Sequence, residues 1–240
     1  MKRTFACSDL HGRLDLWKQI KSFLNPEDTV YFLGDAGDRG PDGWELIKAI
    51  ANDNQVIYLK GNHEDMLVNA AKDWLKYDGI TTSNISLCWY NGGHETLNDL
   101  TSENCIGDWI SHLNNLIRYT EYINKNGIKI ILSHAGATPR LNLDNKIMFP
   151  IDTDFIWSRE HFLDVWDEEL NDTIIVHGHT PIPYLADDLL IKTTEPGAFW
   201  YCDNHKVCID NAAFWSNITC LFDLDTFDEH IFSIGETKWI

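Results

Sequence analysis

The chain has 240 residues, 44% of them hydrophobic and 23% charged, which fits a single globular domain spanning residues 1–240. Its net charge of -18 argues against a nucleic-acid groove or binding to an anionic membrane, because both need a positive surface. The net charge does not exclude small phosphorylated substrates, since bound metal cations can reverse the sign of the electrostatic potential within one cleft. No apolar run approaches the roughly 18 residues of a membrane span. The N-terminus has no apolar signal segment, and the six scattered cysteines suit a reducing compartment, so we expect a cytoplasmic protein.

The first third of the chain alternates between strand and helix patterns. Short apolar runs at 4–7, 29–33 and 55–59 predict buried strands, and each is followed by apolar residues at helical spacing. Repeated strand–helix–strand units predict an α/β fold with a mostly parallel sheet and helices outside it.

The next stretch, at about 78–127, is polar and rich in asparagine, with an amphipathic stripe from Ile106 to Ile117. We expect a helical insertion packed on the domain. Strand patterns return at 128–133 and 173–176. From 185 to 234 the pattern predicts β-hairpins, with turns at 203–204 and 225–226.

Polar clusters follow five of the predicted strands. They are Asp9-Leu10-His11, Gly34-Asp35 through Asp38-Arg39-Gly40, Gly61-Asn62-His63-Glu64, Ser133-His134 and His177-Gly178-His179. In an open α/β sheet ligands bind beyond the carboxyl ends of strands, so these clusters can meet in one cleft. Taken singly, each cluster is more typical of a turn or a helix cap. Their order along the chain, each at a strand end, favours a metal site, and the imidazole and carboxylate ligands suit manganese, iron or zinc.

These residues also carry a family resemblance. SDLHG, GDAGDRG, GNHE, SHAG and GHT together resemble the signature of the calcineurin-like metallophosphatases. More narrowly, the sequence resembles the bacterial and bacteriophage-lambda-like branch of the PPP serine/threonine protein phosphatases. The segments Trp89–Gly93 and Trp157–Glu160 match that branch's Trp-x-Asn-Gly-Gly and Trp-x-Arg-Glu. The resemblance covers about residues 3–224 and implies a central β-sandwich of mixed sheets flanked by helices.

The resemblance also implies roles for individual residues. Two divalent metal ions, manganese with iron or zinc as alternatives, would be bound by Asp9, His11, Asp35, Asn62, His134 and His179. Asp35 would bridge the two ions. His179 is preferred to His177 because it occupies the histidine of Gly-His-Thr. Arg39 and Arg159 would hold phosphate oxygens, and His63 would be a general acid oriented by Asp38.

The sequence departs from the family pattern at several points. Ser8 stands where the first motif usually has glycine, and Gly37 replaces an aliphatic residue, which would loosen the loop holding Asp38. Asn211-Ala212 replaces Thr-Gly or Ser-Gly and puts the substrate-side loop in question. The segment Trp89–Gly93 fits a helix-starting turn as well as a cleft-lining role.

The resulting functional expectation is a dinuclear metal-dependent phosphomonoesterase, chiefly a serine/threonine protein phosphatase. A metal-bound hydroxide would attack a phosphorylated protein or a small phosphate ester directly. Two cations suit this task because phosphate monoesters are anionic and hydrolyse very slowly. The alternative is a symmetrical dinucleoside tetraphosphatase, although those enzymes tend to carry GNHD where Glu64 gives GNHE, and to depart from Asp-Arg-Gly. A catalytically dead metal-binding scaffold would predict a missing ligand, and none is missing.

Overall fold

The computed structural model describes residues 2–137, 140–141, 147–148, 153–159, 173–193 and 195–239. Its strands are β1 (Thr4–Cys7), β2 (Thr29–Phe32), β3 (Val56–Tyr58), β4 (Tyr119–Ile123), β5 (Lys129–Ser133), β6 (Arg140–Leu141), β7 (Ile147–Met148), β8 (Thr173–His177), β9 (Phe199–Tyr201), β10 (Lys206–Cys208), β11 (Ile218–Asp223) and β12 (Glu229–Ser233). Its helices are α1 (Leu14–Phe23), α2 (Gly43–Ala51), α3 (Asn62–Lys76), α4 (Ser83–Tyr90), α5 (His94–Thr101), α6 (Ile106–Asn114), α7 (Asp154–Trp157), α8 (Ile182–Asp188) and α9 (Ala213–Ser216).

Ten of these strands form two five-stranded sheets. The first has the order β12-β11-β1-β2-β3 and the second β4-β5-β8-β10-β9. In the first sheet β1, β2 and β3 are parallel, and in the second β5, β8 and β10 are parallel. The outer pairings are antiparallel. The expected sandwich of mixed sheets is therefore confirmed, and the mostly parallel arrangement holds only for the central strands.

The two faces of the first sheet bury different sets of residues. Ala6 of β1 and Phe222 of β11 pack against Ile130 and Val176 of the second sheet, which forms the core between the sheets. Phe5, the neighbour of Ala6, points to the opposite face and packs with the helices. This alternation follows from the two-residue period of a strand. Each sheet therefore has one face on the other sheet, and helices α1 to α6 cover the outer face of the first. Helices α7 and α8 pack on the outer face of the second.

The stretch at about 78–127 is only partly helical. Helices α4, α5 and α6 occupy its first part, but its last part forms β4, which pairs with β5 at the edge of the second sheet. The expected helical character therefore ends with α6. The assignment of the whole chain to one domain stays a prediction.

The region predicted to form β-hairpins, residues 185–234, differs from that prediction at its start. Residues 185–188 were expected in a β-hairpin and lie instead in α8, which starts after Pro181. The reason is tertiary, because Ile182 and Leu185 of this helix pack against Tyr201 and Cys208 of the second sheet. The two later hairpins turn at the predicted positions, 203–204 and 225–226.

All six cysteines are free thiols, as expected. Among the residues described, no helix has both the length and the hydropathy needed to cross a bilayer.

Candidate active site

The six predicted metal ligands converge beyond the carboxyl ends of five strands. Asp9 and His11 follow β1, Asp35 follows β2, and Asn62 follows β3. The remaining two ligands, from the second sheet, are His134 and His179. All six are at most 6% exposed. Because the strands within each sheet that carry these residues are parallel, their ends lie on one side of the sandwich, and the sequence-based expectation of a single cleft is confirmed.

The loops that carry the ligands have an unusual backbone. Asp9, His11, Asp35 and His179 all have positive φ, at 53°, 42°, 58° and 68°. Non-glycine residues rarely adopt this conformation, and such strain is typical of functional sites. Gly34 permits the tight approach of the β2 and β3 loops, because a Cβ on it would lie 2.4 Å from the backbone nitrogen of Gly61.

Three of the ligands form one tight group. Asn62 Oδ1 lies 2.9 Å from His134 Nε2 and 2.9 Å from His179 Nδ1, and the two imidazole nitrogens are 3.1 Å apart. The other nitrogen of His134, Nδ1, lies 3.0 Å from the carbonyl oxygen of Leu33 and donates to it. This hydrogen bond leaves the lone pair of His134 Nε2 facing Asn62 and His179, as metal binding requires.

A second group lies on the other side of Asp35. His11 Nδ1 donates to the carbonyl oxygen of Gly37 at 3.0 Å, so the Nε2 lone pair points inward. His11 Nε2 lies 3.6 Å from Asp35 Oδ2 and 4.0 Å from Asp9 Oδ1. The other oxygen of Asp35, Oδ1, lies 3.4 Å from His134 Nε2. Asp35 therefore stands between the two groups, where a bridging carboxylate would have to lie.

The residues present fit two divalent cations. Asp9 Oδ1 is buried and accepts no hydrogen bond from any residue that the structure describes. Burial raises the pKa of Asp9, and burial together with the charges of Asp9 and Glu64 raises that of Asp35 well above its usual value. Bound cations would relieve this repulsion. The candidate ligand atoms of two sets, Asp9 with Asp35 and His134, and His11 with Asp35 and His63, lie within 4.8 Å of one another.

His63 lies between Asp38 and Arg39. Its Nδ1 is 2.7 Å from Asp38 Oδ2, the contact that the sequence predicted, and its Nε2 accepts from Arg39 Nη2 at 2.9 Å. Burial and the charge of Arg39 lower the pKa of His63 well below its usual value, and burial raises that of Asp38 to about 7. Burial thus opposes the expectation that Asp38 keeps the imidazole protonated. His63 also belongs to the second ligand set, a position that motif reasoning did not give it.

A cleft of about 550 Å³ opens beside these residues. Its lining includes Arg39, Arg159, His179, Tyr184, Phe214 and Trp215. The guanidinium carbon of Arg39 lies 5.1 Å from the centre of the Phe214 ring, and Arg159 Nη1 donates to Thr180 Oγ1 at 3.1 Å. Both predicted phosphate-binding arginines therefore border the metal ligands.

The aromatic residues of the cleft were missed by sequence reasoning. Tyr184 is 58% exposed and Phe214 is 39% exposed, although both are large and partly apolar. The signal that could have found Phe214 is the preceding Asn211-Ala212 pair. Ala212 has a φ of 53°, and Asp210 Oδ1 accepts a hydrogen bond from its backbone nitrogen. This turn starts α9 and places Phe214 at the cleft.

Two other departures from the family pattern have structural explanations. Gly37 was expected to loosen its loop, but it lets the end of the Ile47 side chain pack against that loop, since a Cβ there would lie 2.7 Å from Cδ1 of Ile47. Ser8 donates a hydrogen bond through Oγ to Asp9 Oδ2. Both residues therefore support the ligand loops.

The Trp89–Gly93 segment starts a helix and also lies next to the cleft residues, so features of both interpretations are present. Gly93 is the N-cap of α5, as a helix-starting turn requires. The carbonyl oxygen of Gly92 also accepts from the backbone nitrogen of Arg39 at 3.0 Å. A Cβ on Gly93 would lie 3.0 Å from both carboxylate oxygens of Asp38. The turn therefore begins a helix and packs behind the loop that carries Asp38 and Arg39.

The structure also separates the two histidines of the last motif. His179 Nδ1 joins the ligand group, whereas His177 Nε2 lies 2.6 Å from the hydroxyl oxygen of Tyr201. Burial lowers the pKa of His177 to about 4. The preference for His179 over His177 as the residue within the cluster thus agrees with the geometry.

Glu64 is a further residue whose role sequence reasoning did not assign. Its carboxylate accepts hydrogen bonds of 2.8 to 2.9 Å from four donors: the backbone nitrogens of Asp35, Ala36 and Gly61, and the hydroxyl of Tyr58. It therefore ties the β2 loop to the β3 loop and fixes the backbone at Asp35.

The same residues are matched by a family profile. The profile described as calcineurin-like phosphoesterase covers residues 2–209, which include every predicted metal ligand. The chain belongs to the calcineurin-like phosphoesterase family. The broad family resemblance is thereby confirmed.

Two curated relatives of this chain carry the same name. The chain is 30% identical over 149 residues to a symmetrical bis(5'-nucleosyl)-tetraphosphatase of Baumannia cicadellinicola, covering 60% of this chain and 46% of that protein. It is 26% identical over 165 residues to the enzyme of the same name from Pectobacterium atrosepticum, covering 66% and 52%. The chain thus spans about half the length of the curated relatives it matches.

A solved structure extends the comparison of folds. A serine/threonine protein phosphatase of Saccharomyces cerevisiae superposes with a TM-score of 0.60 at 14% identity, covering 98% of this chain and 81% of that one. At this identity the likeness concerns the fold alone. The narrower expectation of a PPP-type phosphatase has less support than its stated alternative, because the named sequence relatives are tetraphosphatases.

Proposed function

We propose that this phosphoesterase hydrolyses symmetrical dinucleoside tetraphosphates. The observation that carries the proposal is the cleft itself, where two arginines and three aromatic residues adjoin the ligand cluster. Aromatic side chains stack on nucleobases, and arginine binds phosphate oxygens with charge-assisted hydrogen bonds. The tetraphosphatase relatives support the same substrate class.

The proposed metal ligands are Asp9, His11, Asp35, Asn62, His134 and His179, with Asp35 shared. Two bound divalent ions would supply Lewis acidity and lower the pKa of water toward neutrality. The protein's own contribution is to hold this donor set rigid and dehydrated, through the buried loops and the tautomer-fixing hydrogen bonds of His11 and His134. Manganese is the ion we propose, with iron or zinc as alternatives compatible with the donor set.

Arg39 and Arg159 are the proposed phosphate-binding residues. Arg39 donates to His11 Nε2 and to His63 Nε2. A polyphosphate would draw the guanidinium toward its oxygens and release these imidazole nitrogens. Phe214 lies against the guanidinium and would keep it within the cleft.

His63 is the proposed proton donor to the leaving oxygen. Release of Arg39 exposes the Nε2 lone pair to a proton, and the negative charge of the substrate raises the pKa of His63. Asp38 would hold the ring through Nδ1. A nucleoside diphosphate is a better leaving group than an alkoxide, so it needs this proton less.

A serine/threonine protein phosphatase is the second candidate. The specific observation in its favour is the 2.7 Å contact between Asp38 and His63, because a serine alkoxide depends strongly on a general acid. The substrate would then be a phosphorylated protein. The free cysteines suit a reducing cytoplasm for either function.

The deciding experiment compares hydrolysis of diadenosine tetraphosphate with that of a phosphoserine peptide, using the whole chain with added manganese. We expect a higher kcat/KM for the dinucleotide and ADP as the only nucleotide product. A higher kcat/KM for the phosphopeptide would favour the second candidate. Metal binding without hydrolysis of either substrate would instead support a non-catalytic scaffold. The matched inactive control for both assays is Asp35→Asn.

A further inference from the structure

The aromatic side of the cleft is held by a segment far from any motif. Phe214 and Trp215 belong to α9, a helix of only four residues. Left-handed residues stand at both of its ends, Ala212 with a φ of 53° and Asn217 with a φ of 62°. Such a short helix has little stability of its own, so its position depends on the residues around it.

Asn217 connects α9 to the loop that carries the first metal ligands. Its Oδ1 accepts a hydrogen bond from Nη1 of Arg13, which also donates to the carbonyl oxygen of Ala213 at 3.1 Å. Arg13 is 7% exposed and follows His11 by two residues. Asp15 fixes the other side of the guanidinium through contacts of 2.9 and 2.8 Å. The position of α9 is thus tied to the β1 loop.

Asn217 also connects α9 to the end of the chain. Its Nδ2 donates to the carbonyl oxygen of Glu236 at 2.7 Å, and its own carbonyl oxygen accepts from the backbone nitrogen of Ile234 at 3.1 Å. The backbone nitrogen of Lys238 donates to the carbonyl oxygen of Ser216 at 3.1 Å. We refer to Ile234–Trp239 as the C-terminal strap.

The strap reaches the opposite wall of the cleft as well. Trp239 is half-buried and packs on the cluster formed by Ile182, Leu185, Tyr201 and Cys208. Ile182 and Leu185 belong to α8, the helix that carries Tyr184 into the cleft. The strap is therefore bonded directly to α9 and packs on the cluster that holds α8 against the second sheet.

We propose that the C-terminal strap, anchored by Asn217, is a specificity-determining element that sets affinity for the aromatic part of the substrate. The identity of that part as a nucleobase rests on the proposed function. The strap acts through α8 and α9 and contacts none of the proposed metal ligands. Asn217 is accordingly a positioning residue, and its loss changes the binding of a base more than the binding of phosphate.

Asn217→Gly tests this directly. Glycine retains the left-handed backbone and removes both side-chain connections, while Arg13 keeps its contacts with Asp15 and Ala213. The matched control is Asn204→Gly, the same substitution at another left-handed position, with a φ of 65° in the turn between β9 and β10. Binding of ADP and of inorganic pyrophosphate is measured by calorimetry on the manganese-loaded whole chain.

We expect Asn217→Gly to weaken ADP binding about threefold to tenfold, the cost of ordering side chains that are no longer held. Pyrophosphate binding should weaken much less, because α9 reaches the phosphate site only through the contact of Phe214 with Arg39. Asn204→Gly should alter neither. Asn217→Asp keeps the acceptor for Arg13 and removes the donor to Glu236, so it should give a smaller loss for ADP alone. It also provides the test if the glycine variant does not fold.

Unchanged ADP binding in both Asn217 variants, or equal weakening of both ligands, would overturn the proposal. So would a wild-type protein that binds ADP no more tightly than pyrophosphate. The proposed function is judged separately, by wild-type hydrolysis of diadenosine tetraphosphate. If the protein does not hydrolyse diadenosine tetraphosphate but Asn217→Gly weakens ADP binding selectively, the role of the strap stands. If the protein hydrolyses diadenosine tetraphosphate and Asn217→Gly has no selective effect on ADP binding, only the role of the strap is wrong.

Discussion

The ligand cluster and the aromatic side of the cleft are adjacent, but they differ in burial and in the elements that carry their side chains. The cluster consists of buried polar side chains on loops that follow strands, and hydrogen bonds to backbone carbonyls fix His11 and His134 among them. The aromatic side consists of partly exposed rings on two short helices, held by Asn217 and the C-terminal strap. The difference teaches that the two regions can change independently. Under the proposed function, the cluster would determine the reaction, and the aromatic side would determine which phosphate ester enters.

The largest effect is expected at Asp35, the residue that both ligand groups share. Asp35→Asn should lower metal content at both sites together and reduce kcat/KM by about 10³-fold or more, because each lost cation removes several kcal/mol of stabilisation. Metal analysis and steady-state kinetics on the same sample measure this. Removal of metal by a chelator should abolish activity in the wild type, and manganese should restore it. Two normally bound ions in Asp35→Asn would contradict the bridging position.

The next effect concerns His63, at the border of the two regions. His63→Asn should reduce hydrolysis of a phosphoserine peptide by about 10²-fold or more, and nitrophenyl phosphate hydrolysis much less, because a nitrophenolate leaves without a proton. Metal content must be measured alongside, since His63 also lies in the second ligand set. Equal losses on both substrates with both metals retained would reject the general-acid role. Loss of one metal would assign His63 to the ligands instead.

Arg159 should have an intermediate effect that does not depend on the leaving group. Arg159→Ala removes a charge-assisted contact to phosphate, so kcat/KM should fall about 10- to 100-fold on every substrate by a similar factor. Arg159→Lys is the matched variant that keeps the charge and should recover part of the loss. Near-normal turnover of the folded alanine variant would show that Arg159 serves only its hydrogen bond to Thr180.

The smallest effect is expected on the aromatic side. Phe214→Ala removes the ring that packs against Arg39, so KM for diadenosine tetraphosphate should rise about 3- to 20-fold with metal content unchanged. Phe214→Tyr keeps the ring and should retain most of the affinity. A loss of bound metal in the alanine variant would show that the two regions are not independent, which would break the comparison.

Sequence reasoning performed best where a residue follows a strand. The apolar runs at 4–7, 29–33 and 128–133 predicted their strands to within one residue, and the polar residues after them were placed in one cleft. It failed where tertiary contacts override local pattern. Residues 119–123 form an edge strand after three helices, and residues 185–188 become helical because their apolar face packs on the second sheet. The local residue pattern is only weak evidence for secondary structure, and tertiary packing of this kind overrides it.

The sequence by itself determined the chemical groups of the site, because Asp, His and Asn at successive strand ends must meet once those strands lie parallel. It also determined the likeness to a phosphoesterase, since the motif order is carried entirely by residue type. Only the tertiary structure decided that burial opposes protonation of His63, and that Phe214, Trp215 and Tyr184 line the same cleft as the arginines. These features depend on distances between segments far apart in the chain. Such distances follow from the packing of the two sheets and from the contacts of the C-terminal strap, which no local pattern of residues encodes.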